Sequence, residues 1–238
     1  FKPRDAKLFK PRNSLGNTGG QFYTAKNPEY GAVFTYNLNN VPKTSKSLRM
    51  QRERTLNADN KDIPFPGYDK LTDEMNEKSA SIILTIKDSE GNHIRNVKKN
   101  ASNGSSRIAW NLRHQSYYPI RAGRGQANSW FNPSGPYVTP GEYHAEIYLE
   151  NNGSVEKLDG PIAFNVKPLR KGTLEGASYS DYNSFRTRVS NLYISMSKYQ
   201  DEFSMMKSKI ELLDKASLQL ETFSPEIMKK ISDFKAKY

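Results

Sequence analysis

Between Tyr182 and Leu213 an apolar residue recurs every third or fourth position: Tyr182, Phe185, Val189, Leu192, Met196, Tyr199, Phe203, Met206, Ile210 and Leu213. The alternation of threes and fours never breaks, so all of these side chains fall in one seam along a helix; a strand, with its period of two, cannot produce the pattern. Such a seam demands a partner helix, because helices in proteins are held mainly by burial of an apolar face. Ser178 or Ser180 is placed to cap its start, and Ser224-Pro225-Glu226 opens a second helix with proline at the first helical position. That second helix offers Ile227, Ile231, Phe234 and Tyr238, about four turns at most. The first helix, at about 35 residues, is roughly 50 Å long, so the short return cannot cover it. The uncovered part meets an insertion in the same chain, another chain, or residues outside this sequence.

Upstream the period changes to two. In Asn103–Leu112, Ile108, Trp110 and Leu112 alternate with Arg107, Ala109 and Asn111; in Gly141–Leu149, Tyr143, Ala145, Ile147 and Leu149 alternate with His144, Glu146 and Tyr148. Both read as half-buried strands facing one core. Thr139-Pro140-Gly141 sets a tight turn before the second of them. Gly31–Leu38 is a further strand with Ala32, Phe34, Tyr36 and Leu38 on one face. Ser81–Lys87 is another, with Ile82, Leu84 and Ile86 inward, turned at Asp88–Asn92 and paired with His93–Lys98. Ile162, Phe164 and Val166 mark the closing strand. Ser45–Asn57, rich in Lys, Arg, Glu and Gln, favours a solvent-facing helix; Pro64 and Pro66 stop it, and a short helix follows near Asp69–Glu77. Several short strands separated by turns predict a β-sandwich of immunoglobulin or fibronectin type III kind, with a C-terminal helical hairpin or coiled-coil-like extension. The expected organisation is an extended arm over 1–30, the sandwich over 31–168 with a helical insertion at about 42–78, a linker over 169–177 and the helical extension over 178–238.

The 238 residues contain no cysteine, which excludes disulfides and thiolate metal sites. No apolar run approaches the roughly 18 residues a membrane-spanning helix needs, and no signal peptide is visible. The start at Phe1 rather than Met leads us to expect a processed or truncated piece of something longer. The net charge of +11 invites an anionic partner such as nucleic acid. However, the basic residues are dispersed among Lys2–Arg12, Lys43–Arg54 and Lys229–Lys237, with no nucleic-acid motif around them, which favours a solvated basic surface.

Chemistry-bearing residues are sparse. His93, His114 and His144 lack the i, i+4 or His-x-His spacing of a metal site. Asp88, Glu90 and Asp159 lie in turns, where carboxylates ordinarily bond the backbone. Gly123 and Gly125 lack the remainder of a phosphate-binding loop. We therefore assign no catalytic residue, no metal site and no cofactor from the sequence. The strongest candidate for partner binding is the loop carrying Tyr117, Tyr118, Arg121, Arg124, Trp130, Phe131 and Tyr137, because Tyr, Trp and Arg are enriched at interface hot spots and aromatics also stack on sugars. The competing role for that loop is to fold down over the sandwich edge or the helix.

Several motifs occur in a recognisable order: Pro3-Arg4-Asp5-Ala6, N-P-E-Y-G-A-V-F-T-Y-N-L over Asn27–Leu38, I-I-L-T-I-K-D-S-E-G-N-H-I-R within Ile82–Arg95, S-S-R-I-A-W-N-L-R over Ser105–Arg113, and T-P-G-E-Y over Thr139–Tyr143. Together they resemble the C-terminal region of bacterial sortilin-like, or Asp-box (BNR-type), β-propeller proteins, often named glycosyl hydrolases. The resemblance implies that a propeller, with any ligand or catalytic groups at its centre, lies upstream of Phe1, and that the protein is secreted or sits in the cell envelope, in the periplasm or on the outer-membrane surface. Asn111 departs from the acidic residue usual after the Trp; it can accept a hydrogen bond but carries no charge.

The expectation is a non-catalytic accessory or docking module of a larger secreted or cell-envelope protein or complex. Its partners would be an upstream propeller, other proteins of such a complex, or both, bound through the helical seam and the aromatic loop. The alternative is an accessory domain of a propeller-type carbohydrate-active or peptide-processing enzyme whose active site lies upstream. Nucleic-acid binding is the less favoured third.

Overall fold

The computed structural model describes residues 1, 3–10, 28–117, 135–170, 172, 175–219 and 224–237. They fall in two compact units, one of Phe1–Gln115 with Ser134–Gly176 and one of Ser116–Pro133 with Ala177–Tyr238.

The first unit holds seven strands: β1 (Ala6–Leu8), β2 (Ala32–Leu38), β3 (Ser81–Asp88), β4 (His93–Asn100), β5 (Gly104–Trp110), β6 (Gly141–Asn151) and β7 (Ser154–Pro168). Five of them make a curled mixed sheet in the order β1-β7-β6-β3-β4, and β2 pairs with β5 in a separate antiparallel ladder. The mixed character comes from the arm, whose Ala6 aligns with Val166 in a parallel pairing. Period-two alternation turns one face of each ladder inward. Ile82, Leu84 and Ile86 from β3, Phe34 from β2, Ile108 and Trp110 from β5, Tyr143 and Ala145 from β6 and Phe164 and Val166 from β7 are all buried in one cluster. Full burial of each large apolar side chain contributes about 1.5–3 kcal/mol, so these few positions supply most of the drive to fold. The aromatics meet edge-on, with Phe34 and Phe164 ring centres 5.3 Å apart and Trp110 and Phe164 6.1 Å apart. The Trp110 indole donates to the Arg113 carbonyl at 2.9 Å, so the largest buried side chain leaves no orphaned donor. This strand order does not by itself identify an immunoglobulin or fibronectin type III fold.

Between β2 and β3 stand α1 (Ser45–Ala58) and α2 (Tyr68–Asn76). The Thr44 side chain caps α1 by accepting from the Ser47 amide at 3.2 Å. Neither helix buries a residue, in keeping with the polar composition of Ser45–Asn57. They are tied together by charge instead: Arg49 forks onto Glu74, with its closest contact at 2.8 Å, and reaches Glu53 at 2.6 Å.

The second unit is built on α3 (Tyr179–Ser217) and α4 (Pro225–Lys237). Among the described residues, no helix is long and apolar enough to cross a membrane.

Candidate partner-binding surface

Helix α3 begins where the sequence places its cap. The Ser178 hydroxyl accepts from the Asp181 amide at 3.1 Å and donates to the Asp181 carboxylate at 2.7 Å, and the carboxylate lies in the first turn, where the helix dipole favours negative charge. At 39 residues the helix runs about 58 Å. Of the ten seam residues only Ile210 is half-buried; the other nine are exposed, from 42% at Met206 to 72% at Tyr199. An apolar stripe of this length in water is the feature that needs explaining.

What α3 does cover is a different and largely polar stripe. Ser197 is buried, and Asn183, Arg186, Ser190, Tyr193 and Asp201 are half-buried. The Tyr193 ring meets Tyr117 edge-on with centres 5.2 Å apart. At the far end α4 folds back: Ile231 is buried, the Ser217 hydroxyl contacts the Met228 sulfur at 3.0 Å, and Lys235 pairs with Asp214. This return reaches the last two turns of α3, as its length requires, and leaves Ile227 and Phe234 exposed.

The candidate loop residues are divided. Tyr117 lies in the second unit against Tyr193. Tyr137 lies in the first, where the Arg113 guanidinium stacks 3.8 Å from its ring centre and Tyr30 approaches it edge-on at 6.5 Å. Tyr30 in turn donates its hydroxyl to the Phe9 carbonyl at 2.6 Å, and burial raises its pKa above the ordinary phenol value. Tyr118, Arg121, Arg124, Trp130 and Phe131 lie outside the described residues.

The histidines stand apart from one another. His93 bonds Asn96 at 2.9 Å, His144 lies 3.5 Å from Glu142, and the His114 amide donates to the Pro136 carbonyl at 2.9 Å. Among the described residues no cluster of three or more His, Asp or Glu side chains is arranged to hold a metal ion. A groove of about 690 Å³ lies beside the arm, lined by Arg4, Lys99 and Arg107 but also by Asp5 and Glu29. Its signs of charge are mixed, so it does not concentrate field for an anion.

Two charged arrangements escaped the sequence. Glu146, expected on the solvent face of β6, is buried at 6% exposure. It accepts from Lys157 at 2.8 Å and from the Tyr148 hydroxyl at 2.9 Å, with Lys87 at 2.8 Å. Those donors, Lys157 first, hold its carboxyl at about 2. Alternation alone gives no hint of this, because the lysines come from β3 and β7 and only the strand register gathers them. The second is Arg95, which donates to Asn111 at 3.1 Å. Burial, reinforced by the neighbouring Arg113, pushes its pKa below the ordinary guanidinium value. A carboxylate at position 111 would offset that desolvation with its charge, whereas the Asn111 amide oxygen only accepts a hydrogen bond.

No family model, no curated protein and no solved structure matches the chain.

Proposed function

We propose that this chain is a non-catalytic docking module of a larger secreted or cell-envelope protein or complex, and that the exposed seam of α3 is its principal partner surface, with the aromatic loop around Tyr117 as a second contact. The observation that carries this is the exposure of nine of the ten seam residues on a capped helix whose own return helix is too short to cover them. Burying such a face against a partner helix recovers the free energy that the isolated helix forgoes.

The β part serves as the rigid platform, of sandwich type. That assignment is supported by two ladders sharing one core and by Tyr143, whose hydroxyl donates at 2.7 Å to the Thr139 carbonyl four residues upstream, in the manner of the tyrosine corner of Greek-key sandwiches. Attachment to a sortilin-like propeller, and with it the cell-envelope location, is supported by the motif order: the Pro3–Ala6 arm enters the sheet through β1, and the remaining motifs fall on strands and turns around the same core. On this reading any catalysis belongs to the propeller and not to this chain.

The test is the composition of the native particle, purified gently and characterised by light scattering and peptide mapping, with the intact protein compared with a Leu192→Glu, Tyr199→Glu variant. The docking function expects a second polypeptide or a second copy in the native particle and its loss from the variant. A particle of unchanged composition and mass in the variant would remove the seam from consideration.

A further inference from the structure

We infer that α3 pairs with α3 of a second copy of the chain in a parallel, in-register two-stranded coiled coil, an inference that rests on the docking function proposed for this seam and names its occupant. In heptad terms Tyr182, Val189, Met196, Phe203 and Ile210 take one core position and Phe185, Leu192, Tyr199, Met206 and Leu213 the other, close to five heptads. That exceeds the three to four heptads at which such a pattern argues for a coiled coil. The choice of partner and direction lies with the residues flanking the core, which form the ion pairs between helices.

In a parallel pair, each residue just before the first core position meets the residue five further on in the other helix. The facing pairs are then Asp181 with Arg186, Arg188 with Tyr193, Ser195 with Gln200, Glu202 with Lys207, and Lys209 with Asp214. Each pair in which both members are charged is of opposite sign. In the antiparallel arrangement that overlaps the whole seam, Arg186 falls beside Lys207 and Arg188 beside Lys209, which are like charges. The sequence is thus self-complementary in one direction and self-repelling in the other. Two features of the structure set where a second helix fits on this face. The stripe that α3 already covers includes Arg186 and Tyr193, which flank the seam in its first half, and α4 engages the end near Asp214 and Ser217, where Lys235 already holds Asp214, so the middle of the seam, from Met196 to Met206, is the part most open to a second helix. The central pair, Glu202 with Lys207, has both members exposed and flanks the exposed Phe203 and Met206.

The experiment uses the whole chain in sedimentation equilibrium. The expected result is a mass of twice 27.1 kDa that falls toward 27.1 kDa on dilution. Glu202→Lys weakens the dimer by about tenfold, and Glu202→Lys combined with Lys207→Glu in the same chain restores it, which a merely structural role for either residue would not do. Because the chain contains no cysteine, Leu192→Cys oxidises to a covalent dimer, whereas Lys198→Cys, on the outer face, does not. A mass of 27.1 kDa at every concentration overturns the inference, as does a disulfide that forms only when Leu192→Cys is mixed with Phe203→Cys, the antiparallel partners. If the isolated chain is a monomer while the native particle sheds another protein on Leu192→Glu, Tyr199→Glu substitution, self-pairing falls and the docking function stands. If neither association occurs, both fall.

Discussion

Gly31 enters β2 with φ of 110°, and a Cβ there would stand 1.9 Å from the Trp110 carbonyl oxygen. The contact is with backbone that is itself paired in the β2–β5 ladder, so no side-chain rotation can relieve it. Gly31→Ala should destabilise the first unit by on the order of 3 kcal/mol, read as a lower midpoint in urea. Glu146 shows the electrostatic counterpart. Its carboxyl sits at about 2 against an ordinary 4.5, because Lys157, Lys87 and Tyr148 all favour the charged form. A folded-state pKa below the unfolded one contributes stability that is present in full above about pH 4.5 and is lost as pH falls toward 2. Thermal melts should therefore show the wild-type midpoint dropping across that window. Glu146→Gln should start lower at neutral pH, with two lysines left facing an uncharged amide, and should fall less steeply in acid. Equal slopes for the two proteins would remove Glu146 as the source of the acid sensitivity.

At the level of elements, pattern and neighbour separate cleanly. Alternation placed Ile82, Leu84 and Ile86 inside β3, and the three-four spacing placed the long helix, because a repeat in sequence states which face is apolar. It does not state which element comes alongside. Hence the parallel docking of β1 on β7, the gathering of Lys87 and Lys157 onto Glu146, and the polar stripe of α3 around Ser197 were not legible: each depends on register or on contacts between hydrophilic residues. In sequence the aromatic loop reads as one surface, yet its described ends belong to different units, Tyr117 beside Tyr193 and Tyr137 beneath Arg113. Helix α1 is readable for the opposite reason, since a segment as poor in apolar residues as Ser45–Asn57 stands in solvent, whereas α2 carries Tyr68, Leu71 and Met75 on one side. What joins them is Arg49, whose guanidinium pKa is raised further by Glu74 and then Glu53. Arg49→Met should therefore speed amide exchange through Ser45–Asn76 while leaving exchange in β3 and β6 unchanged. Faster exchange in those strands as well would show that the insertion helps to hold the sheet.

On the scale of the whole molecule the net charge of +11 sets two functions against each other, and salt distinguishes them. Nucleic-acid binding by 6–10 phosphate contacts loses roughly 10³–10⁵ in affinity between 50 and 200 mM salt, because neutralised phosphates release counterions. The basic clusters are partly spent on ion pairs within the fold: Arg49 on Glu53 and Glu74, Lys230 on Glu226, Lys235 on Asp214. Helix α3 meanwhile nearly balances its basic and acidic residues, so joining two such helices brings little net charge together. Association through the seam is apolar at its centre, with only flanking ion pairs to screen and long-range repulsion between the two chains to relieve. Its dissociation constant should change by less than about tenfold over the same salt range. Sedimentation equilibrium for self-association and fluorescence anisotropy for a labelled duplex oligonucleotide, run in identical buffers, place both slopes side by side. A flat self-association slope with weak oligonucleotide binding assigns the function to the seam, and the positive charge then acts to keep the chains from associating through any other face. A tight, steeply salt-dependent oligonucleotide complex without self-association would instead move the function to the basic surface.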